Sequence, residues 1–206
     1  DEKYLNALAD LSVSKKAIEK QDDLKIVFSP IHGTTGKLVP EILRRIGFKN
    51  IITVDEQMEP NGDFPTVIYP NPEEKEALDM ALQKAKEEDA DLVMATDPDG
   101  DRVGIAVKTP NGNFELLNGN QTGSLIINYM LTAWEKAGKI TGNEYIVKTI
   151  VTSYLIDRIA QDKSVACYNT LTGFKYIGEL MTKLEGQKQF IAGGEESYGY
   201  LIGDHV

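Results

Sequence analysis

The sequence has a single cysteine and lacks any hydrophobic run long enough to span a membrane. One thiol, Cys167, excludes an intrachain disulfide and suits a reducing compartment, so a cytoplasmic protein is expected. Its setting, Val165-Ala166-Cys167-Tyr168, reads as a strand with a core thiol, not a nucleophile. The N-terminus has neither the cationic nor the apolar region of a secretory signal. Positive charge is also scarce: 22 Lys and Arg against 32 Asp and Glu leave a net charge of −10. That balance argues against nucleic acid as the main partner, because phosphate backbones need clustered Lys and Arg. A small anion is still compatible, since a bound cation and a few local cations reverse the field in a cleft. The chain starts at Asp1, within an amphipathic pattern (Tyr4, Leu5, Leu8, Leu11), and stops at His205-Val206. A piece of a larger protein is expected.

What is present is an alternation of strand and helix patterns. Leu24–Phe28 reads as a strand, followed by the loop Ser29–Gly36 and a helix from Leu38 to Ile46 that Gly47 can cap. Ile51–Val54 is a second strand, Glu73–Glu88 a helix with Ala77, Leu78, Leu82 and Ala85 on one face, and Asp91–Ala95 a third strand. Arg102–Lys108 and Phe114–Leu117 then form a hairpin across Pro110-Asn111-Gly112-Asn113. A boundary is placed at Leu117-Asn118. The rhythm repeats beyond it: helix Gln121–Lys136, strand Tyr145–Val151, helix Tyr154–Gln161, strand Ser164–Tyr168, helix Phe174–Leu184, strand Gln189–Ala192. The expected fold is α/β: two similar three-layer α/β domains, 1–117 and 118–206, on mixed, mainly parallel sheets. Ligands of such sheets gather at the carboxyl ends of strands.

Asp97-Pro98-Asp99-Gly100-Asp101-Arg102 follows the third strand. Alternate residues of an extended segment point the same way, so Asp97, Asp99 and Asp101 can converge. Three converging carboxylates repel unless a hard divalent cation neutralises them, and Arg102 adds a charge suited to phosphate. The loop reads as a magnesium site for phosphate chemistry. An EF-hand calcium loop would need Gly at its sixth position and Glu at its twelfth, where Arg102 and Lys108 stand. A haloacid-dehalogenase phosphatase with Asp97 as nucleophile fits in part, and a non-catalytic metal-binding module is a third reading.

Three other loops offer ligand chemistry. Gly33-Thr34-Thr35-Gly36 can present backbone N–H groups to an anion, with His32 beside it as acid, phosphate ligand or plain loop residue. In Thr170-Leu171-Thr172-Gly173, Thr172 offers a hydroxyl or simply an N-cap. Gly193-Gly194-Glu195-Glu196-Ser197-Tyr198-Gly199 puts carboxylates and a hydroxyl between glycines, which suits vicinal sugar hydroxyls.

In order, SPIHGTTG, ATDPDGDRVGIAV, TLTGFKYIGE and GGEESYGYLIGDHV resemble the successive motifs of the α-D-phosphohexomutase family of phosphoglucomutases and phosphomannomutases. The resemblance implies the second and most of the third of four domains. It implies an isomerase that interconverts hexose 1-phosphate and 6-phosphate through a phosphoserine and a bisphosphorylated sugar. Asp97, Asp99 and Asp101 would be the Mg2+ ligands and Arg102 the adjacent active-site arginine. Thr172 and Gly173 would contact sugar, and Glu195 and Ser197 would grip ring hydroxyls. GEESYG is closer to the GEES-aromatic-G form of phosphoglucomutases than to GEMSGH, which favours glucose phosphates and leaves mannose and pentose phosphates open. No Ser-His-Asn-Pro loop for the phosphoserine and no Arg-rich Ser-Gly-Thr phosphate loop is found; these belong to the first and fourth domains, which become expected partners. The chain alone would bind magnesium without turning over a sugar phosphate.

Overall fold

Residues 1–203 are described by the structure, a computed structural model. Asp204, His205 and Val206, the end of the last motif, lie outside them. The chain divides into two compact units, Asp1–Leu117 and Asn118–Val206, each with its own sheet.

In the first unit, strands β1 (Lys25–Ser29), β2 (Asn50–Thr53), β3 (Leu92–Thr96), β4 (Val103–Lys108) and β5 (Phe114–Leu117) lie in the order β2-β1-β3-β4-β5. β1 pairs in parallel with both β2 and β3, so that Ile26 faces Ile51 on one side and Leu92 on the other. β4 and β5 continue the sheet antiparallel. The helices are α1 (Glu2–Asp10), α2 (Lys15–Glu19), α3 (Leu38–Ile46), α4 (Asp55–Met58) and α5 (Lys75–Glu87). From β1 the chain steps outward through α3 to β2, then returns past β1 through α5 to β3. Parallel crossovers are right-handed, so α3 and α5 must fall on opposite faces. Ala77, Leu78, Ala81 and Ala85 of α5 pack with Val27, Val93, Ala95 and Ala106. Burying Leu78 completely is worth about 2 kcal/mol. Ile26 and Phe28, which alternate with Val27, are buried too, as a sheet covered on both faces requires.

The second unit has β6 (Glu144–Thr149), β7 (Ala166–Thr170), β8 (Gln189–Gly194) and β9 (Tyr200–Ile202) in the order β7-β6-β8-β9. β6 pairs in parallel with β7 and β8, and β9 runs antiparallel to β8. Its helices are α6 (Gly119–Lys136), α7 (Leu155–Asp162) and α8 (Phe174–Leu184). A reciprocal cap starts α6: the Asn118 side chain accepts from the Gln121 amide and the Gln121 side chain from the Asn118 amide, both at 2.9 Å, worth about 1 kcal/mol. Ile127 and Leu131 of α6 and Ile156 and Ala160 of α7 pack with Ile146. Ile177 of α8 packs with Tyr145, Val147 and Phe190 on the other face. Counted from the start of each unit, both sheets therefore read 2-1-3-4 with the fourth strand reversed, and the first unit adds a fifth strand. Two similar three-layer α/β units are the outcome the alternating pattern implied.

The boundaries differ where pattern and partner compete. β6 ends at Thr149 rather than Val151, because Ile150 and Val151 are apolar yet exposed on a turn. β7 runs to Thr170 instead of Tyr168, since parallel pairing continues through Lys148 opposite Asn169 and Thr149 opposite Thr170. α5 starts at Lys75, because the Glu73 amide is held in a turn by the Asn71 side chain at 3.0 Å. Among the described residues no helix is long and apolar enough to cross a membrane.

Candidate functional site

β3 ends at Thr96 and its antiparallel neighbour begins at Val103, so Asp97 to Arg102 form the turn of a hairpin. A calcium loop between two helices is thereby ruled out. The Gly100 amide donates to the Asp97 carbonyl at 3.1 Å, and the Asp97 amide to the Arg102 carbonyl at 3.4 Å. One carboxylate oxygen from each of Asp97, Asp99 and Asp101 lies within 4.8 Å of the others. That span is a little over twice a magnesium–oxygen bond of about 2.1 Å. Asp97 is buried; Asp99 and Asp101 are exposed. Burial raises the Asp97 carboxyl to about 6. The Arg102 amide, donating at 2.9 Å, works against that rise, while Asp101 and Asp99 add to it. A buried carboxyl under pressure from two more is a donor set short of positive charge. Hard oxygen donors in that number fit a divalent cation of the magnesium class.

Arg102 does not neutralise the trio. Its Nε stands 3.9 Å from Asp97 and from Asp101, and a terminal nitrogen 3.6 Å from Glu73, all too long for hydrogen bonds. The guanidinium is 40% exposed and keeps donors for an outside anion. Glu73 is a neighbour the local pattern gave no reason to single out.

The Ser29–Gly36 loop follows β1, which lies next to β3. Thr34 donates its amide at 2.8 Å and its hydroxyl at 3.2 Å to the Pro98 carbonyl, and the hydroxyls of Thr35 and Thr96 meet at 2.6 Å. Position 33 must be glycine, because a Cβ there would fall 2.4 Å from Pro98 Cα. The amides of His32, Gly33 and Thr34 are taken by the carbonyls of Gln57, Pro30 and Pro98. Of the four residues considered as an anion cradle, Gly33 and Thr34 thus have their amides already engaged, and through Thr34 the segment buttresses the aspartate turn.

His32 is a buried strut, not a free loop residue. Its Nε2 lies 2.8 Å from the Thr66 hydroxyl and its Nδ1 3.4 Å from the Glu59 carbonyl. Thr66 already accepts from Gln57 at 2.9 Å, and Gln57 accepts from Ser29 at 2.6 Å. A carbonyl only accepts, so the ring proton belongs on Nδ1 and Thr66 donates to Nε2. Ile31 and His32 both adopt positive φ, 47° and 59°, an outlier for a β-branched residue. Such positions cost about 1–3 kcal/mol each, and here they immediately precede Gly33, which packs against Pro98 of the aspartate turn.

In the second unit the Gly173 amide donates to Glu195 at 2.6 Å, so the structure brings the 170–173 and 195–199 loops together. The Glu195 amide donates to the Gly199 carbonyl at 3.0 Å, which closes the turn. Thr172 is not a helix cap: Gly173 holds that place in α8, with no side-chain cap bond. Among the described residues the hydroxyls of Thr172 and Ser197 make no hydrogen bond. The pattern also missed Thr149 and Thr152, whose hydroxyls donate to Glu196 at 3.0 and 2.9 Å. The available signal was positional, since Thr149 ends the first strand of its unit and Thr152 lies on the loop after it, the place Ser29–Gly36 holds in the other. Burial pushes the Cys167 thiol up to about 12, with the charge of Asp157 adding to the rise, so it is a packed thiol and no nucleophile.

Both hairpin turns, Asp97–Arg102 and Glu195–Gly199, join the third and fourth strands of their units. Residues 2–112 match phosphoglucomutase/phosphomannomutase alpha/beta/alpha domain II, and residues 118–206 match domain III. The chain belongs to the phosphoglucomutase/phosphomannomutase family. It is 41% identical over 181 residues to a phosphoglucomutase of Staphylococcus epidermidis, covering 88% of this chain and 32% of that protein. It is 37% identical over 186 residues to a phosphoglucomutase of Staphylococcus haemolyticus, covering 90% and 33%. A solved structure from Thermus thermophilus, described as a candidate phosphomannomutase, superposes with a TM-score of 0.72 at 25% identity over 98% of this chain and 42% of that one. The chain thus spans about a third of the length of the curated phosphoglucomutases it matches.

Proposed function

We propose that this chain supplies the magnesium-binding and sugar-binding loops of a phosphohexomutase that interconverts hexose 1-phosphate and hexose 6-phosphate. The convergence of Asp97, Asp99 and Asp101 on a turn at the end of a parallel strand carries the reading. Phosphoryl transfer depends on positioning and charge stabilisation more than on covalent chemistry from the protein. A magnesium ion held by the three aspartates supplies neutralising charge at phosphoryl oxygens when bound. Arg102, adjacent and half-exposed, adds a fixed cation for the same group. Glu195 has one oxygen committed to Gly173 and a second to accept from a ring hydroxyl, while Ser197 and Thr172 offer hydroxyls. The aromatic form of the GEESYG turn favours glucose phosphates, in keeping with the phosphoglucomutase names of the relatives. The nucleophilic phosphoserine and the phosphate-holding loop would come from parts of the protein beyond this chain. A cytoplasmic setting, where thiols stay reduced, suits the lone Cys167.

Titration calorimetry and a mutase assay test this. The chain should bind Mg2+, with affinity reduced about tenfold or more in Asp97→Asn, where a ligand charge is lost. It should turn over no glucose 1-phosphate alone, whereas the intact protein should do so and prefer it to mannose 1-phosphate. Unchanged magnesium affinity in the variant would remove the aspartates from the site, and turnover by the pure chain would overturn its proposed dependence on other parts.

A further inference from the structure

We infer that Glu196 is a positioning residue, anchored by Thr149 and Thr152 so that its two neighbours, Glu195 and Ser197, are presented to ligand. The inference rests on reading the 195–199 turn as the sugar loop.

The anchor is prepared from below. Lys148 has only 5% of its side chain exposed, and its ammonium lies 3.2 Å from the Thr152 carbonyl, 3.5 Å from the Thr149 carbonyl and 3.1 Å from Asp157. The ammonium thereby donates to the two carbonyls and pairs its charge with Asp157, so the cation is spent on holding the threonine turn closed. The Thr152 amide donates to the Thr149 carbonyl at 3.1 Å, and the Ser153 amide to the Asn120 side chain at 2.7 Å. The two threonine hydroxyls lie 2.6 Å apart and reach the same carboxylate oxygen of Glu196. An apolar side chain at 196 would leave this prepared pair without its acceptor.

Glu196 is also held through its backbone. A Cβ on Gly119 would fall 1.8 Å from the Glu196 carbonyl oxygen, so only glycine lets that carbonyl rest on the start of α6. The Tyr200 hydroxyl donates to the Gly119 carbonyl at 2.7 Å, fixing the far end of the turn to the same place. Adjacent residues thus divide the work: Glu196 is committed to the protein, while Glu195 keeps one carboxylate oxygen free of Gly173 and the Ser197 hydroxyl is uncommitted among the described residues.

The test uses the intact protein that carries this chain, with glucose 1-phosphate as the probe. In Glu196→Ala the KM should rise about 10- to 100-fold, the scale of a displaced contact group, with kcat changed less than about threefold. Thr149→Val/Thr152→Val should reproduce that split, and adding Glu196→Ala to it should cost little more, because groups acting as one unit are not additive. Glu196→Gln, which keeps an accepting oxygen, should recover part of the loss. Amide exchange at 195–199 and at Gly173 should quicken in Glu196→Ala, a readout independent of the sugar used. Wild-type KM together with wild-type exchange in Glu196→Ala would overturn the inference, as would fully additive losses. Should the unmodified intact protein fail to turn over any hexose phosphate while exchange still quickens, the proposed activity falls and the anchor stands.

Discussion

Glu144 illustrates how single residues in this chain settle buried charge without a partner ion. The residue is buried at the start of β6. Its carboxylate accepts from the Thr141 amide and hydroxyl at 2.8 and 2.7 Å and from the amides of Gly142 and Asn143 at 3.0 and 3.2 Å. Burial pushes the carboxyl up, but the hydroxyl and amide donors outweigh it and leave the group below its ordinary 4.5. A carboxylate whose folded value is depressed stabilises the fold above the unfolded value and loses that contribution as pH falls through the folded one. Glu144→Gln should therefore cost about 1–2 kcal/mol at neutral pH. The gap to wild type should close as pH drops below 4.5, measured by urea unfolding across that range. A pH-independent gap would mean that shape, not charge, is what the donors recognise.

At the scale of elements, the aspartate hairpin depends on the loop beside it. Gly33→Ala places a methyl group against Pro98 backbone, which has no flexible end to yield. Overpacking of that kind costs about 1–3 kcal/mol, and pushing Pro98 should also spread the aspartates. The variant is expected to lose about tenfold in Mg2+ affinity by calorimetry, and unchanged affinity would separate the two loops energetically. Much of this layout was legible in the sequence. The alternation of Asp97, Asp99 and Asp101 after an apolar run implied convergence, and helical spacing in α5 named Ala77, Leu78 and Ala85 as core. What was not legible depended on distant partners. Thr149 and Thr152 meet Glu196 across 47 and 44 positions, and no local pattern reports such a meeting. His32 likewise needed Thr66 and the short α4 carrying Gln57 before its role as a strut was visible. Ile150 and Val151 misled in the opposite direction, since apolar residues on an exposed turn look like strand.

For the whole molecule, each unit closes its own sheet over its own core. Residues 1–117, produced alone, should unfold in one cooperative transition and keep magnesium affinity within about threefold of the longer chain, since every proposed ligand lies on one turn. Loss of cooperativity or of binding in that piece would show that the sheet needs support from outside. The shared 2-1-3-4 strand order has a broader consequence. The reversed fourth strand turns the chain back at the same place in both units, so each hairpin presents a polar turn at the carboxyl end of a parallel strand, while buried Asp97 and Glu195 tie that turn to the protein beneath it. Chemistry written there can be exchanged only together with the residues that seat each turn, Gly33 for one and Gly119, Thr149 and Thr152 for the other. An acidic turn transplanted from one hairpin to the other would have to carry its seat with it.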